Sequence, residues 1–181
     1  MANAPSAAVQ RLVDVVAQLR NPATGCPWDL EQTHASLVPY VLEEAHEVAD
    51  AIRQGDDQHL KEELGDLLLQ VVLHAQIAGE EHRFDLNAIA DGISNKLIRR
   101  HPHVFGDADA KTSDDVRRSW DAIKLEEQAE ALAGSTSPLS DGLKTKVRGL
   151  PALAGAMTIS KKAAKAGFEW DDMAGVWEKV H

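Results

Sequence analysis

Two acidic motifs interrupt helical apolar patterns and constrain this fold more than any other feature: EEAHE at residues 43–47 and EELGD at residues 62–66. Residues spaced three apart lie on the same face of a helix, so each motif presents two neighbouring carboxylates. Apolar residues precede and follow both motifs on that face, which places acids where core-facing side chains are expected. Charge at such positions is costly unless it is paired or bound to a metal ion. The chain must therefore fold so that these acids share a compensating charge.

Helical periodicity predicts that the two motifs face each other. One helix is predicted from about residue 36 to Gly55, where glycine can close a helix, and the next begins near Asp57. The short turn between them forms an antiparallel hairpin in which Glu44 and Glu63 continue the apolar stripes. Those stripes contain Leu37, Val41, Val48 and Ile52 on the first helix and Leu60, Leu67 and Val71 on the second. The predicted cluster is a carboxylate quartet: Glu44, Glu47, Glu63 and Asp66.

Such a quartet predicts a divalent metal site. Converging carboxylates repel one another, and a hard cation with oxygen ligands removes that repulsion. Mg²⁺ suits this set, with Mn²⁺ as the alternative, whereas Zn²⁺ fits less well because His46 and His74 have no partner at ligand spacing. The competing interpretation is a solvated acidic face, since glutamate is a good helix former. The second acid pair and the interrupted stripes favour the metal site.

The remaining periodicity predicts an all-α chain. Helices are predicted at about residues 6–20, 57–81, 85–100, 113–133 and 151–166. Residues 64–78 are apolar on nearly all sides, which predicts burial by several neighbours. Residues 23–33 are predicted to be irregular, and residues 134–149, rich in Gly, Ser, Thr and Pro, to form a linker. The final residues, from about 166, have the pattern of another helix beginning.

Composition and charge exclude several classes of protein. The 181 residues carry a net charge of −10, which disfavours nucleic-acid binding because that binding depends on clustered Lys and Arg. A nucleotide remains acceptable, since divalent ions can bridge its phosphates to an acidic site. No apolar run reaches the roughly 20 residues of a membrane span, and the N-terminus lacks the regions of a secretion signal. With a single cysteine, Cys26, these features predict a cytoplasmic protein without a membrane partner.

Three separated blocks add a family resemblance: CPWDLEQTHASLVPYVLEEAHEVADAI, EELGDLLLQVV and KLIRRHPHVF. In this order they closely resemble the MazG nucleoside triphosphate pyrophosphohydrolases, over about residues 9–127. The resemblance implies an all-α, MazG-like helical bundle completed by dimerisation, as a homodimer or a higher homo-oligomer. It also implies Mg²⁺-dependent hydrolysis of a (deoxy)nucleoside triphosphate to the monophosphate and pyrophosphate, a reaction used in nucleotide-pool house-cleaning.

The tail, GLPALAGAMTISKKAAKAGFEWDDMAGVWEKV, resembles the segment that joins the two domains of longer, tandem MazG proteins. We therefore expect a MazG-like domain at residues 1–133, a linker at 134–149 and, at 150–181, a helical interdomain segment truncated before a second domain. One alternative is a related pyrophosphohydrolase with a narrow substrate, such as dUTP, dCTP or phosphoribosyl-ATP, because these enzymes share the acid quartet. Another is a non-catalytic dimerisation or regulatory domain that binds metal and nucleotide with little turnover.

The resemblance assigns the quartet to the metal and implies a mechanism. A water made more acidic by the bound metal attacks the α-phosphorus, and pyrophosphate leaves. Glu43 has an outer role or orients this water, and Glu43 or Glu47 accepts its proton. The catalytic candidates are Glu43, Glu44, Glu47, Lys96 and Arg100.

The resemblance also assigns the phosphate contacts. Lys96 and Arg100 lie four apart on one predicted helix and are expected to contact the triphosphate, where Arg offers a fork of donors and Lys a point charge. The alternative is a basic last turn that complements the helix dipole. Trp120 is expected near the nucleotide and Lys124 near phosphate, while Lys61 either touches phosphate or is solvated.

The loop CPWDLEQTH at residues 26–34 is predicted to be mainly structural. Trp28 is expected to cap the core, with stacking on a base as the alternative, and Cys26 is expected in a structural position. Asp29, Gln32 and His34 either cap the following helix or line a base pocket.

Overall fold

The computed structural model describes residues 5–131, 137–167 and 177. Within those ranges the chain folds into α-helices and no strand, which confirms the all-α prediction. The contacts between residues divide the chain into two compact units, unit 1 at residues 1–97 and unit 2 at residues 98–181. Every described helix is too short or too polar to cross a membrane.

Unit 1 is built around a long helical hairpin. Its helices are α1 (Pro5–Leu19), α2 (Pro27–Glu31), α3 (Val38–Gln54), α4 (Asp57–Glu80) and most of α5 (Leu86–Arg100). α3 packs along α4, and α1 packs against α4. The predicted helices agree with these bounds within a few residues, because apolar spacing and helix-end signals are local. The short α2 lies in the segment predicted to be irregular.

The turn between α3 and α4 explains why the hairpin forms here. Gly55 has φ +72°, a left-handed conformation that favours glycine, and its N–H donates to the Ala51 carbonyl at 3.1 Å. Asp56 then caps α4, since its carboxylate accepts the backbone N–H groups of Gln58 and His59 at 3.0 and 3.1 Å. One residue closes α3 and the next opens α4, so the chain folds back on itself.

The core of unit 1 lies along the second half of α4. The buried cluster contains Val16 of α1, Leu37 just before α3, and Val72, Leu73 and Ile77 of α4. By contrast, Leu64 and Leu68, in the first half of α4, are 49% and 39% exposed. The prediction that residues 64–78 are buried throughout is therefore wrong for their first part, because the cluster that α1 forms with α4 involves only the second part.

Arg20, directly after α1, joins three segments. Its Nε and Nη2 donate to the Glu80 carboxylate at 2.8 and 2.6 Å. Its Nη1 donates to the carbonyl oxygens of Gln32, at 3.2 Å, and Asp29. The hydrogen bond from Arg20 lowers the pKa of Glu80. The buried guanidinium thus fastens the loop that contains α2 to the end of α4.

Unit 2 contains the end of α5 and four further described helices: α6 (Pro102–Phe105), α7 (Ser113–Ala131), α8 (Pro138–Val147) and α9 (Ala152–Lys165). α8 packs against α9. Part of the predicted linker at residues 134–149 forms α8, since Pro138 is accepted in a first helical turn and Asp141 suits its positive end. The domain boundaries themselves stay a prediction. Most of the helix predicted to begin near residue 166 lies outside the described residues.

Candidate functional site

Three of the four predicted metal ligands converge between α3 and α4. Glu44, Glu63 and Asp66 each offer a carboxylate oxygen, and these three oxygens all lie within 4.8 Å of one another. Glu63 and Asp66 share a face of α4 through their spacing of three, and α3 packs along α4 so that Glu44 reaches them. No other three histidine, cysteine or acidic side chains in the described ranges approach one another in this way.

Negative charge accumulates around Glu44. Burial raises the pKa of this carboxyl, and repulsion from Asp66, Glu47, Glu63 and Glu43 raises it further. Glu47, the fourth predicted ligand, is exposed and lies outside the convergent trio, although it contributes to this repulsion. A cation bound at this point would remove the repulsion between the carboxylates.

The chemistry of the trio fits a hard divalent cation. All of its donors are carboxylate oxygens, which Mg²⁺, Mn²⁺ and Ca²⁺ prefer. Opposite ligands of Mg²⁺ stand about 4.2 Å apart, which is twice its metal–oxygen distance of about 2.1 Å. Oxygens that lie within 4.8 Å of one another therefore need only small side-chain movements to share one ion. Three carboxylates also leave coordination positions for water and phosphate oxygens.

The residues next to the trio differ in their contacts. His59 Nε2 lies 2.9 Å from Glu63 Oε1. His59 is not among the predicted site residues, although its spacing of four from Glu63 along α4 indicates that the two side chains can meet. Lys61 is exposed, and its ammonium donates to Gln58 Oε1 at 2.9 Å. Glu43 is exposed as well. His59 thus supports a candidate ligand, while Lys61 has a solvated position.

A second cluster lies in unit 2, where the end of α5 meets α7. The guanidinium carbon of Arg100 lies 5.3 Å from the Trp120 ring centroid, and the His101 ring meets the same indole at 4.9 Å and 75°. Glu127 accepts hydrogen bonds from both Arg99 and Arg100. The bonds from Arg100 and then Arg99 outweigh burial and lower the pKa of Glu127 to about 2. The cluster combines a cation with an aromatic face, which suits a ligand that carries both phosphate and an aromatic base.

The two predicted phosphate-binding lysines, Lys96 and Lys124, are on different helices. Lys96 is exposed on α5, and Lys124 is half-buried on α7, four residues after Trp120. Sequence reasoning missed Glu127, although its spacing of seven from Trp120 places the two on one face of α7.

A cavity of about 490 Å³ beside this face is lined by His101, Val116, Arg117, Trp120 and Asp121. Its volume lies in the range of small-molecule pockets.

The loop at residues 26–34 makes structural contacts. Trp28 is 48% exposed and packs edge-on against Tyr40, with centroids 5.8 Å apart, so the prediction of a core position is wrong. His34 stacks on His74 of α4, and their Nδ1 atoms are 2.7 Å apart. Burial lowers the pKa of His74, and His34 adds to that effect. These contacts attach the loop to the hairpin.

Comparison with known proteins adds a domain match and named relatives. Residues 32–105 match the MazG nucleotide pyrophosphohydrolase domain. The nucleoside triphosphate pyrophosphohydrolase of Escherichia coli strain K12 is 48% identical over 173 residues, which are 96% of this chain and 64% of that protein. The nucleoside triphosphate pyrophosphohydrolase/pyrophosphatase MazG of Thermotoga maritima is 42% identical over 174 residues, which are 94% of this chain and 62% of that protein. The chain thus spans just under two thirds of the length of these curated relatives.

A solved structure shares the fold. The crystal structure of a mazG-related protein from Thermotoga maritima aligns with a TM-score of 0.54 and 26% identity, and the alignment covers 64% of this chain and 98% of that one. The carboxylate quartet, Lys96 and Arg100 all lie inside the matched residues 32–105. The domain match, the two relatives and the common fold together show that this chain contains a MazG nucleotide pyrophosphohydrolase domain.

Proposed function

We propose that this chain hydrolyses (deoxy)nucleoside triphosphates to a nucleoside monophosphate and pyrophosphate, as a Mg²⁺-dependent cytoplasmic enzyme of nucleotide-pool house-cleaning. The observation that carries the proposal is the convergence of Glu44, Glu63 and Asp66 inside the residues that match the MazG domain. Support also comes from two relatives that are named nucleoside triphosphate pyrophosphohydrolases and align with 96% and 94% of the chain.

The metal in this proposal is Mg²⁺, with Mn²⁺ as a substitute, held by Glu44, Glu47, Glu63 and Asp66. Glu44, Glu63 and Asp66 already approach one another, and the exposed Glu47 is three residues from Glu44 on α3. When bound, the ion offsets the negative charge of the triphosphate and makes an attacking water more acidic.

The protein side chains supply the proton acceptor. Glu43 and Glu47 lie outside the convergent trio, are exposed to solvent and stand close enough to Glu44 to raise its pKa by repulsion, so their carboxylates can reach a water beside the trio. The one that is not fully engaged with the metal accepts a proton from the water that attacks the α-phosphorus. Glu44, whose pKa is raised by burial and by the neighbouring acids, serves as a ligand in this proposal.

Basic side chains bind the phosphates and the pyrophosphate that leaves. Arg100 donates in a fork to phosphate oxygens, and Lys96 contributes a point charge from the same helix. Lys124 follows Trp120 by four residues on α7, so the ring can contact the nucleoside while the ammonium contacts phosphate. Lys61 contributes through long-range attraction from its exposed position.

A second copy of the chain is the proposed macromolecular partner. Large apolar side chains are exposed on three helices of unit 1, including Leu42 and Ile52 on α3, Leu64 on α4 and Ile93 on α5. Exposed apolar side chains that lie together form the kind of surface through which proteins associate. Light scattering after size exclusion tests this arrangement: a homodimer or larger homo-oligomer supports it, and a monomer at micromolar concentration contradicts it.

A substrate panel tests the proposed activity. The chain is assayed for pyrophosphate release from canonical, deaminated and oxidised nucleoside triphosphates, and from dUTP and dCTP, with Mg²⁺, with Mn²⁺ and with chelator. We expect Mg²⁺-dependent release of one pyrophosphate for each monophosphate formed. Binding of triphosphate without any release would instead support the regulatory alternative, and activity on a single pyrimidine nucleotide would support the narrow-substrate alternative.

A further inference from the structure

Glu127 holds two consecutive arginines at the end of α5. Its Oε2 accepts from Arg100 Nη2 at 2.5 Å, and its Oε1 accepts from Arg99 Nε at 2.8 Å and from Arg100 Nε at 3.4 Å. The two arginines differ in environment, because the Arg100 side chain is 13% exposed and that of Arg99 is 60% exposed. Arg100 is therefore the arginine that is held in a partly buried position.

Trp120 bounds the same guanidinium. The Arg100 guanidinium carbon lies 5.3 Å from the ring centroid of Trp120, within the range of a cation–π contact. Trp120 and Glu127 lie seven residues apart on α7 and share one face of that helix. One face of α7 thus presents both an aromatic surface and a carboxylate to Arg100, which fixes the plane of the guanidinium.

The bonds to Glu127 use only part of the guanidinium. Arginine has five N–H donors, and those that reach Glu127 are on Nε and Nη2. The planar geometry of the group places Nη1, with two N–H donors, on the opposite side. We infer that Glu127 is a positioning residue that orients Arg100 so that its Nη1 side binds a phosphate oxygen of the substrate. This inference rests on the proposed function, in which Arg100 contacts the triphosphate.

Positioning before binding has an energetic consequence. A solvated arginine populates many rotamers, and ordering it at the moment of binding costs free energy. Glu127 and Trp120 order Arg100 in advance, so the phosphate contact is gained without that cost. The carboxylate also offsets the repulsion between the adjacent cations of Arg99 and Arg100.

The same contact would be inhibitory if Glu127 competed with phosphate for Arg100. The bonds favour positioning, because Glu127 contacts the Nε and Nη2 edge of the guanidinium and makes no bond to Nη1. The two roles predict opposite changes in substrate affinity when Glu127 is replaced. Loss of Glu127 weakens substrate binding if it positions Arg100 and strengthens binding if it competes.

Three variants test this role in the full chain. Glu127→Gln removes the charge and keeps the shape, and it is expected to raise KM roughly tenfold, the effect of losing a charge-assisted hydrogen bond. Its kcat should change by less than about threefold, since the contact forms before the transition state. Glu127→Asp keeps the charge and should restore most of the affinity. Glu126→Gln, at the adjacent exposed glutamate on α7, is the matched control and should behave as wild type.

A double-variant cycle with Arg100→Ala decides whether Glu127 acts through Arg100. The Glu127→Gln change should have no further effect on KM in the Arg100→Ala protein, because the two residues then no longer interact. An equal rise in both backgrounds overturns the inference, and so does a KM lowered by Glu127→Gln alone. A loss of substrate affinity that parallels a loss of melting temperature, and that Glu127→Asp does not restore, would show a purely structural role. That outcome also overturns the inference.

Binding measurements separate this inference from the proposed activity. If the wild type releases no pyrophosphate, catalysis fails as a proposal, and the same variants are compared by calorimetry with α,β-methylene ATP and Mg²⁺. A weaker Kd for Glu127→Gln, with wild-type affinity for Glu126→Gln, supports positioning in that case. A wild type that binds no triphosphate overturns both proposals.

Discussion

The carboxylate trio of α3 and α4 and the arginine cluster of α5 and α7 compensate their charges in opposite ways. Around Glu44, burial and the neighbouring acids raise the pKa. Around Glu127, the hydrogen bonds of Arg100 and Arg99 lower the pKa to about 2. The trio therefore carries an excess of charge that an added cation can neutralise, whereas the arginine cluster already contains its counter-charge.

This difference distinguishes two tasks. A site that binds a metal ion needs several like charges close together, even though their repulsion lowers the stability of the metal-free protein. A side chain that binds phosphate benefits from being held in place before the ligand arrives.

The largest effect is expected from Glu63→Gln. The variant removes one of three converging anionic ligands and should lower Mg²⁺-dependent pyrophosphate release by about 100-fold or more. Glu62→Gln is the matched control, since Glu62 is the preceding residue on α4, is exposed, and accepts a bond from Gln58 at 2.6 Å. Initial rates over a range of Mg²⁺ concentrations provide the measurement. Equal rates in the two variants would show that the acidic trio does not bind the catalytic metal ion.

A smaller loss is expected from Arg100→Ala. Removing a charge-assisted phosphate contact should lower kcat/KM by roughly 10- to 100-fold, and Arg100→Lys should recover little because an ammonium cannot replace the fork. Arg118→Ala is the control, at a side chain that is 77% exposed and pairs with Asp115 on α7. Steady-state kinetics on the preferred triphosphate provide the comparison. An Arg118 variant as impaired as Arg100→Ala would show that general surface charge, rather than the cluster, binds the substrate.

In the metal-free protein, Glu44→Gln should be stabilising. A like-charge pair three apart on a helix, such as Glu44 with Glu47, costs about 0.2–0.5 kcal/mol, and Glu63 and Asp66 add repulsion from α4. The free energy of unfolding should therefore rise by at least about 0.2–0.5 kcal/mol. Added Mg²⁺ should then stabilise the wild type more than the variant, since binding to the folded state raises stability. Urea unfolding with chelator and with Mg²⁺ measures both quantities. If the metal-free Glu44→Gln protein were less stable than the metal-free wild type, the trio would not carry an excess of repelling charge.

The smallest effect concerns the pH dependence of Glu127. Its pKa falls from 4.5 in the unfolded chain to about 2 in the folded protein, so the unfolded state binds more protons between these values. The stabilisation from Glu127 is therefore complete above pH 4.5 and is lost as the pH falls toward 2. Urea unfolding of Glu127→Gln and Glu126→Gln across this range should show a difference that shrinks at low pH. A difference independent of pH would show that the ion pairs do not stabilise the fold.

The long helices of this protein were predictable, and the short ones were not. α3 and α4 each contain several turns of apolar periodicity, with Gly55 and Asp56 marking the ends where they meet. α2 and α6 have five and four residues, too few to show a helical period. α8 begins at Pro138 in a stretch whose composition indicated a linker, and its pairing with α9 was not visible in the local sequence.

Burial was also decided by packing rather than by residue type. Trp28 and Leu64 are large apolar residues that the sequence placed in the core, yet they are 48% and 49% exposed. Each lies outside the cluster that α1 forms with the second half of α4. Hydrophobicity indicates that a side chain tends to be covered, but the neighbouring elements determine whether anything in the chain covers it.

The sequence by itself determined which acids share a helix, because the helical repeat is local and places residues three and four apart on one face. That repeat alone pairs Glu63 with Asp66. The hairpin pattern added Glu44 to this pair, but only the tertiary structure decided that Glu47 stays outside the trio and that Glu127 pairs with Arg100. Distances between helices depend on the rotation and offset of packed surfaces, which spacing along a single helix does not specify.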